Sequence, residues 1–442
     1  MRPYKLSISD AHRKMRKHEL TPIELLDSLL NRIKKLDPYV EAWITLKREE
    51  AEKKAESLTR ESERGLFRGP LHGIPIGIKD IYYTKELKTT MGSPIFEDFI
   101  PEYDATVISK LWEAGAIVLG KTETTEFALT DPAPTRNPWN LEYTPGGSSS
   151  GSAAAVSAGM CPTALGSQTG GIVIRPASFC GVVGIKPTYD LISRKGVYPV
   201  SWSLDHVGVF TRTVEDASIV LNCLAKTRTE EGFKSEETIR LGIVREYFSE
   251  NASEEVNKGY QSALGKIRDS GLNTEDFELP RNFSAIHPAH RVIMASEIAS
   301  VHEGNYRTRP ADYSDNIRGM ITSGLLVPST AYLKAQRIRD SFIREMYTNM
   351  KSYNCIVTPS APTPALEGLE STGDPTFNSP WSLCGFPSLT LPSGLTRKGL
   401  PLGIQLVSPP YMEGELLRVA QVLEEVFSFP KEPREPSLPD FQ

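Results

Sequence analysis

The sequence predicts an α/β fold built on a sheet with parallel strands. Two observations carry this. Ile74-Pro75-Ile76-Gly77-Ile78 and Ala116-Ile117-Val118-Leu119-Gly120 are short apolar runs with the texture of buried strands, and Asp104 to Ala114 between them has the texture of a helix. Strand, helix and strand in that order suggest a parallel sheet. The second observation is an N-terminal region of helical periodicity, as an outer layer on a sheet would have.

The elements follow in chain order. Thr21-Pro22-Ile23-Glu24 opens a helix: threonine caps, proline suits the first helical position, and Glu24 completes a capping box. Ile23, Leu26, Leu30, Ile33 and Leu36 then recur at helical spacing. A charged helical stretch runs from about Lys47 to Glu63. Residues 1–65 are therefore expected to form a helical layer packed on a core of residues 66–442. Beyond the second strand, Asn137 to Ser152 is a loop rich in proline, glycine and serine, and Ala153-Ala154-Ala155 suits a helix packed tightly on a sheet. Thr227 to Thr238 is polar and charged and reads as a surface crossing or a link. Arg240 to Phe248 resumes a strand pattern, residues 281–345 are mostly helical in texture, and Cys355-Ile356-Val357 and Leu389-Thr390-Leu391-Pro392 read as strands.

Composition narrows the function classes. The chain has 442 residues, of which 39% are hydrophobic and 24% charged, enough for a large core and too apolar for general disorder. A net charge of -5 argues against nucleic acid or an anionic membrane as partner, since both select basic surfaces. The cysteines number 5, an odd count with no CxxC, so a reducing cytoplasm is the expected compartment. The polar N-terminus lacks a signal-peptide stretch, and no uncharged apolar run reaches the roughly 20 residues that span a bilayer. His287 and His290, with His302 downstream, lack a partner carboxylate at ligand spacing, and neither metal nor cofactor is indicated.

Three segments carry chemical potential. Lys79 ends an apolar strand, where burial lowers a lysine's pKa and fits it to act as a base; a surface lysine at a strand end is the plainer alternative. Pro145-Gly146-Gly147-Ser148-Ser149-Ser150-Gly151-Ser152 offers unhindered N–H groups and hydroxyls at the head of a helix, but has no P-loop ending. Gly166-Ser167-Gln168-Thr169-Gly170-Gly171-Ile172 could turn backbone N–H groups toward an oxyanion, or could simply be a tight turn.

Taken together these segments resemble the amidase signature family, the Ser-cisSer-Lys hydrolases. The likeness runs from His72-Gly73-Ile74-Pro75 through Asn137-Pro138-Trp139-Asn140, the GGSSSGSAAAV loop and Gly184-Ile185-Lys186-Pro187-Thr188 to Gly399-Leu400-Pro401-Leu402-Gly403-Ile404-Gln405. The resemblance implies one large α/β domain with a mixed, twisted sheet and helices on both faces. It implies a serine that attacks an amide carbonyl, a second serine on a cis peptide that relays protons, and a buried lysine. Carried over, the lysine is Lys79, the relay serine is Ser148, and the oxyanion turn is Thr169, Gly170, Gly171 and the N–H of Ile172. Ser149, Gln168, Ile174, His206 and Cys384 fall where such a pocket is expected, and residues 281–345 where its rim is expected.

The family's run G-S-D-T-G-G-S-I-R-x-P departs here at the nucleophile. Ile172 stands where the serine belongs, Gln168 where the aspartate belongs and Ile174 where the arginine belongs. Isoleucine cannot attack a carbonyl or carry an acyl group, so serine-based hydrolysis is expected to be lost. Loss of both members of a charge pair is coherent, because breaking one alone leaves a buried charge unpaired. Three readings follow: chemistry repurposed onto Lys79 and Ser148 with a small amide-like or acyl substrate; a silent homologue that binds a ligand or serves as a partner subunit; and slow C–N hydrolysis with Ser148 or water as nucleophile. Both a homodimer and a complex with a partner subunit stay open.

Overall fold

The computed structural model describes residues 2–227 and 238–438. Most of the expected link at Thr227 to Thr238 thus lies outside the described residues. The strands are β1 (Trp43–Leu46), β2 (Pro75–Lys79), β3 (Ile117–Thr122), β4 (Thr163–Gln168), β5 (Val183–Lys186), β6 (His206–Thr211), β7 (Arg240–Ile243), β8 (Asn273–Asp276), β9 (Cys355–Pro359), β10 (Ser388–Leu395) and β11 (Pro401–Val407). Among the described residues they form one 11-stranded sheet in the order β1-β3-β2-β4-β6-β5-β10-β11-β9-β7-β8. The sheet is mixed. β2 pairs parallel with both β3 and β4, while β4, β6, β5, β10, β11 and β9 pair antiparallel in turn.

Side chains alternate across the sheet. Ile117 and Leu119 join one apolar cluster and Val118 the other; Ala164 and Leu165, and Phe210 and Val209, divide the same way. Both faces are therefore covered. The helices Pro22–Val40 and Ser150–Ser157 contribute to the first cluster, and the helices Val214–Leu224, Glu254–Asp269 and Glu413–Phe427 to the second. The capping box at Thr21 and Glu24 is formed. The N-terminal segment is not helical throughout: Trp43–Leu46 pairs antiparallel with β3 and forms an edge of the sheet. The aromatic and β-branched residues of Trp43-Ile44-Thr45 suit that strand.

Residues 286–349 form three helices, Ile286–Thr308, Asp315–Leu325 and Ser329–Asn349, which pack together. Ile286, Ile293 and Phe342 join Trp381 and Phe386 in a third apolar cluster. Among the described residues no helix is long and apolar enough to cross a membrane.

Candidate active site

Parallel pairing of neighbouring strands brings their C-terminal ends to one edge of the sheet. β2 ends in Lys79 and its parallel neighbour β4 ends in Gln168, so the lysine and the glycine turn meet there. The serine loop enters from between them. It leads into the helix Ser150–Ser157, whose small residues admit close contact. A Cβ on Gly151 would lie 2.3 Å from the Ala42 carbonyl oxygen and 2.4 Å from the Glu123 nitrogen, which is why that position is glycine.

Lys79 is fully buried. Its Nζ donates to Ser148 Oγ at 2.7 Å, to Ser167 Oγ at 2.9 Å and to Ser149 Oγ at 3.1 Å. Burial holds its pKa well below the ordinary lysine value, and the nearby charge of Asp205 opposes this only in part. The Gly147–Ser148 peptide bond is cis.

The turn after β4 is tied down by its carbonyl groups. Thr169 O accepts from His290 Nε2 at 3.0 Å, Gly170 O from Ser382 Oγ at 2.5 Å, and Gly171 O from Arg175 N at 3.0 Å. Thr169 Oγ1 donates to Asp205 Oδ1 at 2.6 Å. The amides of Gly170, Gly171 and Ile172 donate to no acceptor among the described residues. The turn needs glycine at 171, where a Cβ would sit 2.4 Å from Asn378 Oδ1.

A cavity of about 310 Å³ lies against this turn. Thr169, Gly170, Gly171, Ile172 and Arg175 form one wall; His287, His290 and Arg291 of the helix Ile286–Thr308, with Asp374 and Ser379, form much of the rest. Ile172 is 9% exposed and presents a hydrocarbon side chain to the cavity. Burial lowers the pKa of His287 to about 4 and also lowers that of His290, so both rings are neutral near pH 7. A second cavity of about 200 Å³ is lined by Ser167, Arg194, Trp202, Asp205 and His206 among others.

The expected pocket residues are placed differently. Ser149, Gln168, Ile174 and Cys384 line neither cavity. Ser149 Oγ is turned inward to Lys79 and to the Ser167 carbonyl. Gln168 Oε1 accepts from the amides of Val173 at 2.9 Å and Ile174 at 3.0 Å, and its Nε2 donates to Ser382, so it caps the following helix. Ile174 is buried in the first turn of that helix, and Cys384 packs in the third apolar cluster. His206 lines the second cavity instead of the first. Lys79 and Ser148 themselves are fully buried and line neither cavity.

Two residues that hold the serine loop and the lysine, Arg175 and Ser167, are not singled out by the sequence pattern. Ile174 reads there as loss of a buried cation, but Arg175, one residue on, supplies one. Its Nη2 donates to the Gly147 carbonyl at 2.7 Å and its Nε to the Thr372 carbonyl at 2.6 Å, so it clamps the serine loop. Burial lowers its pKa to about 10, which leaves it charged at neutral pH.

Known proteins share this architecture. The model of the Amidase family matches residues 24–417. The A subunit of the glutamyl-tRNA(Gln) amidotransferase of Geobacter metallireducens is 35% identical, over 96% of this chain and 98% of that protein. Among solved structures, a crystal structure of an amidase superposes with a TM-score of 0.87 at 30% identity, covering 95% of this chain and 99% of that one. A vestigial protein complex tied to the origins of an s-triazine catabolic enzyme gives 0.89 at 26% identity, covering 98% and 100%. A family match over most of the chain and this level of identity mean that the chain belongs to the amidase family.

Proposed function

We propose that this protein binds a small amide or acyl compound in the cavity beside the Thr169–Ile172 turn, that the serine acyl-enzyme route is closed at Ile172, and that Lys79 and Ser148 are kept as a proton-transfer pair. One observation carries the reading: Lys79 holds Ser148 at 2.7 Å, while the cavity against the Thr169–Ile172 turn is met at the nucleophile position by an isoleucine. Burial disfavours the charged form of Lys79, which fits its amine to exchange a proton with the Ser148 hydroxyl. The free amides of Gly170, Gly171 and Ile172 supply donors for a carbonyl oxygen that gains charge. Residues 66–442 act as the amidase core, 1–65 as an outer layer, and 281–345 as the variable rim that selects the ligand.

A second reading is a silent homologue that works as a binding or partner subunit. It is favoured by the full burial of Lys79 and Ser148, which line neither cavity, and by relatives whose name calls them a subunit.

The test is ammonia release from a panel of small primary amides, comparing the protein as it stands with Ile172→Ser. The proposed reading expects the substitution to raise release by at least about 10²-fold, and Lys79→Ala in that background to remove the gain. Unchanged release in both would overturn the assignment of position 172. For the second reading, binding of the same amides with no product in any variant is the expected result.

A further inference from the structure

We propose that His290 is the general base of a direct attack by water on an amide held in the first cavity, with Nδ1 taking the water's proton while Nε2 tethers the Thr169–Ile172 turn. The inference rests on the reading that this cavity binds a small amide. His290 belongs to the helix Ile286–Thr308 and lines the cavity beside the turn. A Cβ on Gly170 would lie 3.8 Å from its Cε1, the ring atom between the two nitrogens. The partner of Nε2 fixes the tautomer. Nε2 lies 3.0 Å from the Thr169 carbonyl oxygen, which can only accept, so Nε2 carries the hydrogen and Nδ1 the lone pair. Nδ1 has no hydrogen-bond partner among the described residues, yet it keeps accessible surface, unlike Nε2 of His206, His287 and His302. Burial lowers the pKa of the ring, and the bond to Thr169 opposes this in part, so the lone pair is available near pH 7.

The other groups on this cavity are less suited to the task. His287 Nδ1 meets Ser379 Oγ at 3.4 Å, and its Nε2 has no accessible surface. Asp374 is exposed, and its Oδ1 accepts from the amide and the hydroxyl of Thr376. Arg175 and Arg291 have no lone pair to offer. Lys79 and Ser148 line neither cavity, and Ile172 has no group that forms an acyl ester. His290 alone sets a free acceptor beside Gly170, whose amide, like those of Gly171 and Ile172, is unpaired among the described residues. A proton acceptor and oxyanion donors thus share one wall.

In the proposed step a proton of water passes to His290 Nδ1 as the water oxygen bonds to the acyl carbon, and the carbonyl oxygen gains the charge that the turn amides meet. The C–N bond then breaks, and the proton on Nδ1 leaves with the nitrogen as ammonia or an amine. The products are the carboxylic acid and neutral His290. No bond to the protein forms at any stage, which separates this route from hydrolysis through an acyl-enzyme.

The experiment uses the full chain with hexanamide and benzamide, whose apolar bodies suit the wall of Leu129, Val200, Met294 and Met320. Binding is read by calorimetry and turnover by ammonia release, in the unaltered protein and in His290→Gln. Glutamine keeps a donor for the Thr169 carbonyl but has no nitrogen that accepts a proton. The expected result is slow release by the unaltered protein and, in His290→Gln, binding within about threefold but release at least about 10²-fold slower. Intact mass spectrometry during turnover should find no acylated chain. Should His290→Gln not fold, diethyl pyrocarbonate, which acylates accessible neutral imidazole, decides on the unaltered protein: an adduct on His290 should form in step with loss of release, and hexanamide should slow both. Binding without release, release unchanged in His290→Gln, an acyl group on a serine, or no adduct on His290 overturns the base and leaves the ligand reading of the cavity standing. Absence of binding in every form overturns that reading and this inference with it.

Discussion

A buried lysine without a counter-ion records what its surroundings cost, and this protein has more than one. Lys186 ends β5, is fully buried, and donates to the Pro187 and Phe386 carbonyls. Burial pulls its pKa down to about 7, against the opposing charge of Glu413. An unfolded lysine titrates near about 10.4, so between these values the unfolded chain binds more protons and stability rises with pH. Below pH about 7 the full cost of charging Lys186 is felt. Lys186→Met removes this cost. Its unfolding free energy relative to the unaltered protein should therefore be most favourable at pH 7 and decline toward pH 10 by roughly 2–4 kcal/mol. Urea denaturation at several pH values checks this; a difference that does not vary with pH would refute it. Lys79 obeys the same physics, but its neighbours are hydroxyls in place of carbonyl groups.

The helix Ile174–Cys180 has only 7 residues and cannot hold itself together by its own hydrogen bonds. Gln168 compensates by accepting from Val173 and Ile174 and by donating to Ser382, which in turn donates to the Gly170 carbonyl. Gln168→Ala should cost about 1–3 kcal/mol, the penalty of leaving buried amides unpaired. Chemical denaturation reads this, and a loss below about 0.5 kcal/mol would mean that water or another side chain caps the helix equally well. Such capping was not legible in the sequence, where Gln168 reads only as a departure from aspartate. By contrast, the helix Pro22–Val40 was legible to its first residue, because Thr21, Pro22 and Glu24 act on one another locally. The strand Trp43–Leu46 was not, because four residues acquire strand character from their partner β3.

The packing of distant segments decides how the two cavities are walled. Glu297, on the helix Ile286–Thr308, is 7% exposed. It accepts from Ser201 Oγ at 2.5 Å, from Ser203 N at 2.9 Å, from Ser203 Oγ at 2.7 Å and from Tyr332 Oη at 2.9 Å. It thus fastens that helix to the loop that ends in Asp205 and His206. Glu297→Ala leaves these donors without their carboxylate, and should lower stability by at least about 2 kcal/mol. The same variant should weaken binding of small amides, since the helix also presents His287, His290 and Arg291 to the first cavity. Calorimetric unfolding and amide titration measure the two effects; full stability in the variant would show that the helix is held by its apolar face alone.

By itself the sequence determined the family, the α/β class and the parallel β2–β3 unit, and it marked Lys79, Ser148 and the Thr169–Ile172 turn as the candidate site. Each of these is written in a contiguous run, and short-range chemistry such as caps, apolar strands and glycine turns is readable from such runs. Tertiary structure alone decided that Lys79 touches three serines, that Arg175 supplies the buried cation expected to be lost, and that Gln168 caps where it was expected to line a pocket. It also decided that one cavity lies against the Thr169–Ile172 turn and that a second takes in Ser167, which accepts from Lys79. These depend on which strand lies beside which, and on the face to which each side chain is turned. That is fixed by pairing and close packing between residues far apart in the chain, so no local run of residues contains it.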